Sequence, residues 1–109
     1  MQKFNMYSIF DVVAGVFNQP FFLSNDAMAV RQFRDMADNP DTMLFKHPGD
    51  YSLWRVGSWE MEEGNVENED PRAKIFEGKN IQIERARNEI NNGSPIQSGS
   101  GSRNSEVPV

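Results

Sequence analysis

Eleven of the twelve aromatic residues of this chain lie in its first 60 positions, Phe76 being the one beyond, and none lies between Gly93 and Val109. Aromatic side chains carry much of the apolar area a small domain can bury. Their clustering therefore confines the core to the N-terminal part and predicts that globular structure ends near residue 70. A chain of 109 residues holds one small domain at most. Its 38% of hydrophobic residues suffice for a compact core because they are gathered in one region.

Within that region the local patterns predict an order of elements. Phe4 to Phe10 is rich in β-favouring residues and alternates Phe4, Met6 and Phe10 against Tyr7 and Ile9, the pattern of a strand covered on both faces. Val12 to Phe17 extends this strand past Gly15, Asn18-Gln19-Pro20 supplies a turn, and Phe21-Phe22-Leu23 returns as a hairpin partner. The connection is too short for a crossover, so the pairing is antiparallel. Ser24 or Asn25 then caps a helix, and Asp26 suits the positive end of its dipole. The helix is expected to run to about Asp38, with Val30, Phe33 and Ala37 on one apolar stripe beside Ala29 or Met36. Arg31 and Arg34 project elsewhere, each four residues before an aspartate, Asp35 or Asp38.

Pro40 stops the helix by removing an amide donor and disfavouring the α conformation at Asn39. A loop to Asp50 leads into YSLWRVGSWEM, Tyr51 to Met61, the expected central strand. Its alternation puts Tyr51, Leu53, Gly57, Trp59 and Met61 on one face and Trp54 and Val56 on the other, with Gly57 marking a bulge or a close backbone approach. After a turn at Glu62 to Asn65, Val66 begins a return strand that the acidic residues cut short. The fold class is α+β: a small antiparallel sheet of three or four strands with one helix packed on a face. Residues 1–70 form that domain. Residues 71–92 read as a linker and a short amphipathic helix with Ile83, Ala86 and Ile90 on one stripe. A helix this short is marginal alone in water, so it packs on the domain or folds against a partner. Residues 93–109, rich in Ser and Gly, are expected to be disordered.

The net charge of −5 is local in origin. Glu60 to Asp70 carries six acids and no base, whereas the flanking regions are close to balance. Such a block reads as a solvated loop, and it repels phosphate, the opposite of a nonspecific nucleic-acid binder. With no cysteine there is no disulfide framework or thiolate site, and a reducing compartment is expected. The N-terminus is interrupted by Asn5, Ser8 and Asp11 and does not read as a signal peptide. No segment approaches the roughly 20 apolar residues of a membrane span. The protein is expected to be soluble and not secreted.

Reaction chemistry is missing from the sequence. His47 is the one histidine, set in a loop beside Pro48, and builds neither a triad nor a histidine-rich metal site. Glu62 and Glu63 lack the spacing of a calcium loop, and no phosphate-binding glycine motif is present. No enzyme activity, cofactor or metal is expected. Single-stranded nucleic acid is a different matter, because stacking platforms with nearby cations hold it without a large positive charge. Tyr51, Trp54, Arg55 and Trp59 on one strand form such a candidate platform. Arg31, Arg34, Lys46 and Arg55 form a candidate cationic patch. Against these stand a domain that needs at least one Trp in its core and a surface of balanced ion pairs.

The order of MYSIFD, PFFLSNDAMAVRQFRDM and HPGDYSLWRVGSWEMEEGNV resembles the small nonstructural protein of gokushovirus-type microviruses, single-stranded DNA phages of bacteria. The resemblance covers about residues 4–66. It rests on Asn25-Asp26 before Ala29, Val30, Arg31 and Phe33, then Pro48, Asp50-Tyr51, Leu53, Gly57 and the Gly64 turn. It implies a nonstructural or DNA-binding protein of the host cytoplasm, absent from the mature virion, with a role in genome synthesis or its switch to packaging. It implies no catalytic residue. Two functions follow as expectations. The first is contact with single-stranded viral DNA through Arg31, Arg34, Lys46, Arg55 and Trp54. The second is an adaptor that docks its Ile83, Ala86 and Ile90 stripe on a replication initiator, a procapsid component or a host factor. An edge-to-edge homodimer is an expected assembly for so small a sheet.

Overall fold

A computed structural model describes residues 2–92. The first nine-residue strand, β1 (Lys3–Asp11), ends where Asp11 turns the chain. Its carboxylate accepts the amides of Val13 and Ala14, and Gly15 adopts a left-handed φ of 73° that glycine tolerates at no steric cost. The expected continuation through Phe17 is therefore replaced by a reversal. Strand β2 (Val16–Phe17) folds back antiparallel with Phe17 opposite Phe10. Strand β3 (Phe21–Leu23) then pairs the same edge of β1 further along, with Phe22 opposite Met6. The segment Asn18 to Pro20 is an interruption in one edge, and the hairpin turn lies before it.

Helix α1 (Asp26–Ala37) starts where Asn25 Oδ1 accepts the Met28 amide at 2.9 Å, and Asp38 caps its end. Its buried residues are Ala29, Phe33 and Ala37: Phe33 and Ala37 of the expected stripe are buried, Ala29 takes the place of Val30, which is only half-buried, and Met36 is exposed. After Pro40, Thr42 caps a four-residue helix, α2 (Met43–Lys46), within the expected loop. Its single turn is too short to show a period. A 3-10 turn at Pro48–Asp50 leads into β4 (Tyr51–Glu60).

Strand β4 is central and pairs β1 along its whole length. On its other side lies β5 (Asn65–Glu77), 13 residues long. The sheet is wholly antiparallel in the order β2-β1-β4-β5, with β3 also on β1. This α+β arrangement is the expected fold class. The acidic residues do not end the return strand: β5 runs through them, and residues 71–77, expected as linker, are strand. The compact unit accordingly extends to Lys79. Gly78 is required where it stands, since a Cβ there would strike the carbonyl oxygens of Pro48 and Tyr51.

Helix α1 covers one face of this sheet. Tyr7, Ile9 and Leu53 from the strands and Ala29, Phe33 and Ala37 from the helix are all at most 4% exposed. Phe76 of β5 closes the cluster edge-on to Phe33 at 5.5 Å. The second unit begins at Asn80 and contains most of helix α3 (Gly78–Asn92), so the helix expected around Ile83, Ala86 and Ile90 is present. All three residues are exposed on it. The disorder expected over 93–109 falls outside the described residues. No helix among those described is long and apolar enough to cross a membrane.

Candidate nucleic-acid interface

The two tryptophans reach the same face of the sheet because of one inserted residue. Opposite β1, Tyr7 pairs Arg55 and Met6 pairs Gly57, so Val56 has no partner and bulges. Beyond a bulge the side-chain alternation shifts by one position. Trp54, opposite Ser8, and Trp59, opposite Phe4, then share the face carrying Phe4, Met6 and Phe10. Tyr51 and Leu53 face α1. The strict alternation read from the sequence put the two tryptophans on opposite faces, and the Val56 bulge corrects it. Gly57 sits at this irregularity, where a Cβ would strike the Glu67 carbonyl oxygen. Neither tryptophan enters the fully buried core; both are half-buried on the face away from α1.

At one end of that face Phe10, Phe17 and Trp54 form a contiguous cluster. Phe17 packs 4.8 Å from Phe10 and edge-on to Trp54 at 6.0 Å. Trp54 Nε1 donates to Ser52 Oγ at 2.9 Å, which helps to fix the indole. Two cations from β5 lie over these rings: Arg72 over Phe17 at 5.2 Å and Lys74 over Trp54 at 5.4 Å. Both distances suit cation–π attraction. Lys74 is also paired with Glu77 at 2.7 Å. Arg72 has no carboxylate partner among the described residues.

Strand β5 carries charge on both faces, and Glu77, opposite Ser52, lies on the aromatic side in its pair with Lys74. Glu67, opposite Ser58, and Glu69, bound to Arg55, lie on the α1 side together with Glu60 of β4. Val66, opposite Trp59, and Lys74, opposite Trp54, lie on the aromatic side, where Arg72 joins them. The register breaks between Arg55 and Gly57, where the partners jump from Ala73 to Asn68. The intervening residues loop out around a cis Asp70–Pro71 bond. Acids that look like one repulsive block in the sequence are thus directed largely away from the aromatic cluster.

Arg55 is consumed by a different network. Its Nε and Nη2 donate to the two carboxylate oxygens of Glu69 at 2.6 and 2.9 Å, and Nη1 donates to Asp26 Oδ2 at 2.7 Å. Asp26 Oδ1 also accepts from Tyr7 Oη at 2.7 Å, and Tyr7 Oη in turn accepts from Asn5 Nδ2. The hydrogen bonds to Glu69 and Asp26 outweigh desolvation and hold the guanidinium firmly charged. Burial pushes the Asp26 carboxyl up, but the Tyr7 and Arg55 hydrogen bonds and the Arg55 charge bring it below its ordinary value. The Arg55 hydrogen bonds likewise hold Glu69 low. Burial, then the bond to Asp26, pushes the Tyr7 phenol up to about 12. This network clamps the start of α1 to β1, β4 and β5.

The structure does not gather the residues singled out from the sequence into one site. Trp54 is on the aromatic face, whereas Arg55 points to the α1 side. Arg34, on α1, stacks 4.8 Å over the Phe76 ring. Arg31 is exposed on the same helix, without the expected Asp35 pair, and Lys46 is exposed at the end of α2. Arg72, Lys74 and Phe17 were missed as candidates. The alternation Arg72-Ala73-Lys74 is a period-2 signal in a segment read as linker.

No curated protein and no solved structure matches the chain. A family model described as Phage ORF5 protein matches residues 4–81, a span that contains the sheet apart from Lys3 and all of α1 and α2. The chain carrying this two-faced sheet therefore belongs to the Phage ORF5 protein family.

Proposed function

We propose that this phage protein is a non-enzymatic accessory factor that binds single-stranded DNA on the sheet face opposite α1. The resemblance to microvirus nonstructural proteins supports a role in viral genome synthesis or its switch to packaging, in the bacterial cytoplasm and outside the mature virion. The observation that carries the reading is the placement of cations over rings: Arg72 lies over Phe17 and Lys74, paired with Glu77, over Trp54, while Glu67 and Glu69 are turned to the other side. Aromatic rings stack bases of any sequence, and adjacent cations meet the phosphates between them. The net charge of the chain, −5, matters less than the charge within a Debye length, about 8–10 Å in physiological salt, of the stacked strand.

Fluorescence anisotropy of labelled single-stranded and duplex DNA across a salt series tests this. Binding is expected to be tighter for the single strand and to weaken with salt. Trp54→Ala should cost roughly 1–3 kcal/mol of binding, and Arg72→Gln should lower the salt slope by about 1. Arg31→Ala/Arg34→Ala separates this face from the helix arginines: wild-type affinity and slope assign the site to the sheet, and a large loss moves it to α1. No binding at low salt would overturn the proposal.

A second reading rests on α3. Ile83 and Ile90, 52% and 76% exposed, form with Ala86 an apolar stripe suited to a groove on a phage replication or procapsid protein, or on a host factor. Ile83→Asp would then abolish capture of that protein while the sheet domain stays folded. Capture by a chain ending at Asn80 would exclude the helix as the docking element.

A further inference from the structure

Four residues beyond Trp54 along the β1 ladder, the same face holds a second aromatic group. Phe4, Phe22, Trp59 and Met61 line an apolar cavity of about 470 Å³. Phe22 stands edge-on to Trp59 at 6.5 Å and is 45% exposed, and Met61 is 53% exposed. Gly64, with φ at 69°, lets the following turn pass beside the far edge of the Trp59 ring.

We propose that this cavity is a second base-stacking station, which takes one unpaired nucleobase of the strand held at Phe17 and Trp54. The inference rests on the reading of the sheet as a single-strand binding face, and it adds where the strand goes. Three observations carry it. The cavity lies on the same face as the first cluster, since Trp54 and Trp59 lie opposite Ser8 and Phe4 of the same strand. At about 3.3 Å per residue the two indoles are roughly 13 Å apart, which a strand spans with about four nucleotides at a stacked rise of about 3.4 Å.

The third observation is charge. The first station has Arg72 for phosphates, with Lys74 beside it in its pair with Glu77. The second has an apolar lining and is followed by the turn bearing Glu62 and Glu63. A base fits there, but its phosphates must stay clear of the turn. The two stations therefore divide the work: one holds backbone and base, the other a base alone. Stacking without hydrogen-bond readout makes the second station tolerant of sequence.

The test is a length series of labelled oligothymidylates, from two to eight nucleotides, measured by anisotropy against wild type, Trp59→Ala, Trp59→Phe and Phe22→Ser. In the wild type, affinity should step up roughly 5- to 150-fold as the oligomer becomes long enough to reach both stations. Trp59→Ala and Phe22→Ser should remove the step and leave the shortest oligomers and the salt slope unchanged. Trp59→Phe should restore much of it. The far-ultraviolet circular dichroism of each variant reports folding, and Phe22 is exposed enough to be replaced without unfolding. A full step in both Trp59→Ala and Phe22→Ser would overturn the second station while leaving single-strand binding at Trp54 in place. Loss of all binding in wild type would overturn both.

Discussion

Replacing Arg55 by methionine separates a structural arginine from a DNA contact. Methionine keeps an apolar stem and deletes three charge-assisted hydrogen bonds of 2.6, 2.7 and 2.9 Å. Sheltered bonds of this kind contribute roughly 1.5–3 kcal/mol each. Here the Arg55 side chain is 28% exposed and Asp26 42%, so solvent screening reduces the set to about 2–3 kcal/mol in total. Against a total stability of about 5–15 kcal/mol, that is a midpoint fall of roughly 8–24 °C for a domain of this size.

The pH dependence gives the loss a signature. Asp26 and Glu69 are both held below their ordinary values in the folded protein. A depressed carboxyl contributes stability that is complete above its unfolded value, about 4, and is lost as pH falls through the folded value. Thermal unfolding followed by circular dichroism should thus show the full gap between wild type and Arg55→Met at neutral pH. The gap should close as the pH falls below about 4. Single-strand affinity, measured below both midpoints, should be unchanged. An Arg55→Met protein with wild-type stability at neutral pH, or a gap that persists in acid, would refute the account of the clamp.

Three further outcomes follow from the same geometry. Gly57→Ala forces a Cβ onto the Glu67 carbonyl, and the β4–β5 pairing should loosen, read as faster amide exchange over residues 57–60 and 65–68 with a stability loss of at least about 1–3 kcal/mol. Tyr7, pushed up to about 12, should ionise well above an ordinary phenol in an ultraviolet titration; because its folded value is raised, its contribution is whole below about pH 10 and lost as pH rises through the folded value, and Asp26→Asn should narrow the shift. Asn25→Ala deletes the α1 cap and should cost about 1 kcal/mol in urea denaturation, where an unchanged midpoint would show that the cap contributes nothing.

Much of the fold is legible in short segments. Asn25 followed by Asp26 announces a helix start, Pro40 its end, and the Phe33, Ala37 spacing most of its buried stripe, because capping and periodicity act over one or two turns. The alternation of Phe4 to Phe10 likewise marks β1. Asp11 and Gly15 held a turn signal that the run of apolar residues between them concealed. The acidic run hides the length of β5, because a strand sends successive residues to opposite faces and so spreads charges that are adjacent in sequence.

What the sequence by itself determined is the set of local elements and their class: a capped helix and alternating strands of an α+β domain. Tertiary structure alone decided which side chains meet. Arg55 finds Asp26 and Glu69 across 29 and 14 positions, distances at which no local period carries information. The Val56 bulge is defined by its lack of a partner on β1, and that one unpaired residue moves Trp59 to the face of Trp54. A face is a property of register, and register exists only once the strands are paired.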